Sequence, residues 1–493
     1  MPARDASAPE VRETSAPEAR DAFLPEVRDD PDGSPVYRRI AESIADGIAT
    51  GRISAGERLP THRALAQQLG VAVPTVSRAY REAERRGLIS STVGRGTFVT
   101  GIPTLRDTDG SATGGRPRLD LSVNGPARGE HEQLLRAALA AASTDPDLSA
   151  LLSYESDIGR SADRRAAAGW LARSGITVEA DQVAICHGGQ HAILVALGAV
   201  LRPGDVLLTE GLTFPGVKSA AQLLDLRIAG VEMDDEGLVP AALEASCSAG
   251  RTPPTALYCM PTAHNPTAIT LSAQRRNAIV DIARRHDLVI IEDDVFGLLV
   301  PDAERPAPLA ALAPERTLHL TSLSKTLTPG LRWGVVAGPA HLTDRLGALV
   351  RASILNPAPV AVDIARRWLA DGTAGKLLTW QRAEMHTRFT AVHRLLAGCS
   401  AVRAIRSAGL HAWLELREPW TPTEVIDVAG GLGIEIAPTS FFHADAGNAA
   451  RPDAQGVRLC LGNAPDLPTL ADAMTNLAKA LDRGPTWSTG IRV

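Results

Sequence analysis

Lysine is nearly missing from this chain. Of 51 basic residues only Lys218, Lys325, Lys376 and Lys479 are lysine; the remaining 47 are arginine. A guanidinium keeps its proton and cannot serve as a nucleophile, so a position that retains lysine in such a setting is a candidate for chemistry that needs a neutral amine. Cysteine is also scarce. Cys186, Cys247, Cys259, Cys399 and Cys460 are scattered and lack metal-ligand spacing, which argues against a disulfide framework or metal site and for a reduced, cytoplasmic setting. No apolar run approaches the roughly 18 residues of a membrane span, and the N-terminus carries no signal-peptide core, so no membrane partner is expected. The composition, 44% apolar, allows sizeable cores. A length of 493 residues allows two or three folded units.

The net charge of −5 is unevenly spread. Between Gly33 and Thr100 ten arginines stand against five acidic residues, so a basic module is tethered to an acidic body. That asymmetry suggests double-stranded DNA as a partner at one end only.

Residues 1–32 carry a near-repeat, APEVRETS, APEARDAF, LPEVRD, too polar and too rich in proline to bury a core, and are expected to form a disordered tail. From 33 to 100 the pattern changes. Val36, Ile40, Ile44 and Ile48 have helical spacing, GERLPTHRALAQQLGVAVPTVSRAYREAERRGLI reads as two short helices about a turn at Leu69-Gly70-Val71, and STVGRGTFVT reads as a hairpin. Helix, helix-turn-helix and hairpin in that order predict a winged helix-turn-helix of α+β class. Its second helix should begin near Val73, with Pro74 in the first turn, and present Thr75, Ser77 and Arg78 to DNA, while Arg63 and Arg95 flank that surface.

Residues 101–117 read as a linker. From 118 to 355 helical stretches alternate with short apolar runs, QVAICH, DVLLTE, TALYCM, LVIIEDD and TLHLTS, which predicts an α/β unit around a mostly parallel sheet. Residues 356–493 read as a smaller C-terminal α+β lobe containing HAWLELR, GIEIAP and GVRLCLG.

Lys325 lies in TSLSKTLTPGLRWG, between Ser322, Ser324 and the later Arg332. Gly188, Gly189 and Gln190 open an apolar helix directly after a strand, as a phosphate seat requires. Asp293 closes a strand at the edge where ligands of such sheets bind, Asn265 in HNPT offers an amide, and Phe214 offers a ring face. Each has an ordinary alternative: Gly-Gly a tight turn, Asp293 a helix cap, Asn-Pro a turn, Phe214 core. Together they match the needs of pyridoxal 5'-phosphate (PLP), whose aldehyde condenses with a lysine, whose ring nitrogen wants an anion, and whose phosphate wants helix N-termini, hydroxyls and an arginine.

The order of residues 34–100 resembles the GntR family of winged-helix regulators. That resemblance implies DNA contacts from Arg63 and the start of the second helix; because Val73 and Ser77 stand where many members have arginine, it shifts contact toward Thr75, Arg78 and the wing. From about Leu119 onward the chain resembles fold-type I aminotransferases through S-x-S-K, N-P-T, E-D-D and P-G-L-R-x-G. This implies that Lys325 forms the Schiff base with PLP, that Asn265, Asp293 and Arg332 hold the cofactor, and that Arg458 in GVRLCLG binds a carboxylate. It also implies that Tyr154 in LLSYESDIG reaches the phosphate of a partner subunit, hence a homodimer. Phe296 stands where the family often has a tyrosine that donates to the cofactor, and Ala268 where it usually has glycine. The combination resembles the MocR subfamily of GntR regulators and implies a DNA-binding regulator that senses PLP or an amino compound as its small-molecule effector. A working aminotransferase with an accessory DNA-binding head, and a PLP-free dimerisation scaffold, are the other readings.

Overall fold

The computed structural model describes residues 35–49, 53, 57–85, 88–92, 96–99, 119–248, 253–444 and 455–484. The tail at 1–32, the linker at 101–117 and the wing residue Arg95 lie outside them. The chain divides into two compact units, with the break between Arg106 and Asp107.

In the first unit, α1 (Val36–Ala49) buries Ile40, Ala41 and Ile44. Helix α2 (His62–Leu69) starts where the Thr61 hydroxyl accepts the Ala64 N–H and stops at Gly70, whose φ of 64° is the left-handed conformation a C-cap favours. Helix α3 (Val73–Arg85) buries Val76, Ala79, Tyr80 and Ala83, a stripe at helical spacing that closes a small core with Leu65 and Ile53. The Tyr80 hydroxyl, buried with its ring, donates to the Pro60 carbonyl at 2.7 Å. Strands β1 (Ile89–Thr92) and β2 (Gly96–Val99) pair antiparallel, Ile89 opposite Val99, and form the wing.

The second unit is built on a seven-stranded sheet. Its strands are β3 (Val183–His187), β4 (Val206–Glu210), β5 (Arg227–Val231), β6 (Ala256–Cys259), β7 (Val289–Asp293), β8 (Thr317–Ser322) and β9 (Trp333–Ala337). They lie in the order β3-β9-β8-β7-β6-β4-β5. All neighbours are parallel except those of β9, which runs against both β8 and β3. Apart from the edge strand β5, the strands are buried over most of their length, as helices covering both sides demand. Reversal of β9 matters for the site: it brings the residue before it, Arg332, to the same edge as the ends of β3, β7 and β8.

A smaller antiparallel sheet, β10 (Val402–Ala408), β11 (His411–Leu416) and β12 (Gly456–Cys460), follows two long helices, Pro359–Ala370 and Thr373–Leu396. The run GIEIAP pairs only through Ile434–Glu435, because its neighbour is the two-residue strand Leu119–Asp120. Among the described residues no helix is long and apolar enough to cross a membrane.

Candidate functional sites

On the first unit the described residues singled out from sequence lie on α2 and α3. Arg63 is exposed in the first turn of α2, and Val73, 40% exposed, starts α3. Arg78 is exposed, and its guanidinium lies 4.8 Å from the centre of the Tyr37 ring, which steadies it without neutralising it. Thr75 is half-buried. Ser77 is half-buried as well, and its hydroxyl is engaged with His62 Nδ1 at 3.2 Å, tying α3 to the start of α2. Arg63 and Arg78 thus stand exposed on two helices tied together by His62, whose ring also meets Tyr80 edge-on at 4.9 Å.

On the second unit the carboxyl ends of the parallel strands converge. Asp293 ends β7 and is 2% exposed; its Oδ2 accepts a hydrogen bond from the Tyr258 hydroxyl at 2.6 Å and its Oδ1 one from the Val295 N–H at 3.3 Å. Burial raises its pKa, while Tyr258, the Val295 N–H, His319 and Lys325 oppose that rise.

Beyond β8 the chain turns into a single helical turn, Leu323–Thr326, whose cap is the Ser322 hydroxyl accepting the Ser324 N–H. Lys325 sits in that turn. Its stem keeps some exposure while its amine is enclosed by protein, and the Nζ donates to the Asn124 carbonyl at 2.5 Å. Burial lowers its pKa to about 8, with the Arg458 and Arg332 guanidinium groups adding to the fall. Another lysine shows the contrast: Lys218 spends its amine on the carbonyls of Phe441 and His443.

Gly188, at φ 81°, caps helix α4 (Gly189–Val200), leaving the first N–H groups of that helix directed outward. A Cβ on Gly188 would lie 2.6 Å from Arg332 Nη2, so the guanidinium rests directly on this glycine. Ser322 Oγ faces Gly189, and Gly334 in β9 leaves no room for a side chain against the Gly188 backbone. Gln190 donates to the Gly216 carbonyl at 2.7 Å, which fixes the start of helix α5 (Pro215–Leu223) behind Phe214, itself packed on the core. Arg458 is 6% exposed; its Nη1 donates to Asn265 Oδ1 at 2.7 Å, its Nη2 to the Ser122 carbonyl, and its guanidinium lies 4.7 Å from the Phe442 ring centre. Tyr154 stands apart, 85% exposed, beyond the short helix Leu148–Leu152.

Two participants escaped sequence reading. Tyr258 sits in the run TALYCM, where an aromatic reads as core. Asn124 acts on Lys325 through its backbone, which no side-chain motif can reveal; its amide nitrogen also meets His411 Nδ1 at 3.0 Å. His411 in turn lies edge-on to Phe296, with ring centres 5.5 Å apart.

The donor set fits PLP. Ser324 Oγ and Arg458 Nε are buried and lack a hydrogen-bond partner, so the cleft holds polar capacity that the protein does not consume. Gly188, the α4 N-terminus, Ser322, Ser324 and Arg332 could seat a phosphate, Asp293 could face a ring nitrogen, and Lys325 offers an amine of lowered pKa.

Comparison with known proteins bears on both units. Residues 36–99 match the bacterial regulatory proteins of the gntR family, and residues 116–473 match aminotransferase class I and II. The HTH-type transcriptional regulator YdeF of Bacillus subtilis is 29% identical over 436 residues, covering 86% of this chain and 90% of its own. The HTH-type transcriptional regulator TauR of Rhodobacter capsulatus is 30% identical over 354 residues, 66% of this chain and 72% of its own. Among solved structures, an archaeal alanine:glyoxylate aminotransferase superposes with a TM-score of 0.69 at 22% identity, covering 75% of this chain and 92% of that one. Aspartate aminotransferase from Thermus thermophilus with maleate gives 0.62 at 19% identity over 74% and 92%. With a GntR helix-turn-helix domain, which implies DNA binding, followed by an aminotransferase class I and II domain, the chain belongs to the MocR-type transcriptional regulators of the GntR family.

Proposed function

We propose that this regulator carries PLP on Lys325 as a Schiff base and uses the occupied cleft to sense PLP itself or an amino compound. The observation that carries the reading is Lys325: an enclosed amine, its pKa lowered to about 8, at the same sheet edge as a buried carboxylate and a glycine-arginine phosphate seat. When bound, PLP supplies an aldehyde open to amines and a ring that withdraws electrons. Lys325 offers the neutral amine, Asp293 holds a proton at the ring nitrogen, and the Gly188–Arg332 seat binds the phosphate. Arg458 orients an effector carboxylate once it lets go of Asn265. An effector amine competes with Lys325 for the aldehyde, and it regulates only if it binds one conformation of the protein better than another.

Phe296 offers no hydrogen-bond donor beside this cleft, which favours binding over turnover. Leu152, 88% exposed, and Tyr154, 85% exposed, are free to meet a second subunit, and in a homodimer Tyr154 would reach the other subunit's phosphate seat. Sedimentation of the full chain tests the dimer.

The central test is borohydride reduction of the PLP-treated protein followed by peptide mass analysis. The adduct is expected on Lys325 and absent from Lys325→Ala. An adduct that persists in that variant overturns the assignment, and steady transamination between an amino acid and a keto acid would replace the sensor with an enzyme.

A further inference from the structure

Nothing in the sequence motifs assigns a task to Tyr258, yet its hydroxyl is bonded to Asp293 at the heart of the cleft. It lies in β6, fully buried, and its Cα pairs with that of Ile291 in β7. Side chains alternate along a strand, so Tyr258 shares a sheet face with Ile291 and with Asp293 two residues on, about 6.6 Å further along. That is the span of a phenol, and the hydroxyl reaches Asp293 Oδ2 at 2.6 Å. The oxygen has no other protein partner among the described residues. A phenol buried in an aliphatic core is costly unless its hydroxyl is satisfied, and an ionised acceptor makes the strongest such bond.

Asp293 needs that partner. Three kinds of neighbour face it: Glu210, buried at the end of β4 with its own pKa pushed up to about 8; His319 in β8; and Lys325 beyond β8. Of all influences that favour its charged form, the Tyr258 bond is the largest, and burial opposes them. The bond also fixes geometry. With Oδ2 held by Tyr258 and Oδ1 only weakly engaged by the Val295 N–H at 3.3 Å, the carboxylate has one oxygen anchored in the sheet and one left for a ligand at the strand end.

We propose that Tyr258 is the positioning residue for the cofactor's ring nitrogen: it anchors Asp293 Oδ2 so that the carboxylate stays ionised with Oδ1 turned to the nitrogen. This rests on the PLP reading above. Tyr258 does not touch the cofactor in this arrangement; it acts through Asp293.

The test separates an effect at the ring nitrogen from a general loosening of the cleft. PLP and a PLP analogue with carbon in place of the ring nitrogen are titrated against the full-length wild type, Tyr258→Phe, Asp293→Asn and the double variant, with melting transitions recorded to establish folding. Tyr258→Phe should bind PLP roughly tenfold more weakly, the scale of one charge-assisted hydrogen bond, and the analogue less than about twofold more weakly. On the Asp293→Asn background it should cost nothing further. Equal losses for PLP and the analogue, or an unchanged PLP affinity, overturn the proposal. A wild type that takes up neither compound overturns the PLP reading itself, which keeps the two failures distinct.

Discussion

The two candidate sites use charge in opposite ways. On the helix-turn-helix unit Arg63 and Arg78 stand in water, carried by helices whose buried face is mainly apolar. In the cleft of the aminotransferase-like unit Lys325 and Asp293 are enclosed, and burial moves the lysine down and the aspartate up, each toward its neutral form. Exposed charges act over about 8 to 10 Å before salt screens them, so they suit a polyanion that must be found and held along its length. Enclosed groups act at contact distance and are scarcely screened, so they suit one small molecule in one orientation. Arginine serves the first purpose because it never loses its proton; the second needs an amine that can.

Ionic strength is the sharpest way to break that comparison. DNA affinity should fall by roughly a thousandfold between 50 and 200 mM salt if six or more phosphates are neutralised, while PLP affinity should change by less than about twofold. Parallel titrations of the full chain check this, and equal slopes would abolish the distinction. Gly188→Ala comes next in size. The new methyl meets Arg332 at 2.6 Å and sits at φ 81°, so both the seat and its backbone are strained. PLP affinity should fall on the order of a hundredfold with DNA affinity unchanged, because losing charge-assisted phosphate bonds and forcing a left-handed residue each cost about 1 to 3 kcal/mol.

How much of this was legible in sequence follows the same division. The helix-turn-helix reads through because its core stripe, Val76, Ala79 and Ala83, lies on a single amphipathic helix with a glycine at the turn before it. The central strands read through because each is a short run dominated by buried aliphatic residues, with polar ones gathered mainly at the carboxyl ends. Strand β5, RIAGV, did not: it is an edge strand, half-exposed and broken by glycine, so its pattern is weak. Strand β9 was hidden because WGVVA follows Pro-Gly-Leu-Arg, whose turn signals mask a strand beginning at Trp333. In the cleft, the compact motifs pointed to Lys325, Asp293 and Arg332, and the structure brings these three to one sheet edge. No motif pointed to Tyr258 or Asn124, since one depends on register between strands and the other on a backbone carbonyl brought to Lys325 from 201 residues away.

The head supplies the next prediction. Arg63→Ala should cost about 1 to 3 kcal/mol on the upstream region of the protein's own gene if the guanidinium touches a base edge, with the loss confined to that sequence. Arg95→Ala, at the wing, should weaken binding to all sequences alike and lower the salt slope by about one. Neither substitution should alter PLP uptake. Binding isotherms at two salt concentrations decide it, and wild-type affinity in both variants would move the recognition surface elsewhere.

A pH dependence should mark the enclosed site alone. Lys325 has its pKa lowered from 10.5 to about 8, so its charge is disfavoured in the folded state. Below that pH both folded and unfolded chains carry the proton and the penalty is felt in full. Between about 8 and 10.5 the folded chain has shed the proton while the unfolded chain keeps it, so the PLP-free protein should gain stability as pH rises through this window. Capture of PLP needs the neutral amine, and its rate should climb about tenfold per unit up to the lysine's pKa and level off above it. Lys325→Met keeps the stem and deletes the titration, so its melting temperature should lose this component of the pH dependence. Stopped-flow absorbance and thermal melts on the two proteins measure both consequences. A capture rate that keeps rising to pH 10 would mean that the amine titrates like an exposed lysine, and the contrast between the open surface and the closed cleft would then fail at its most important residue.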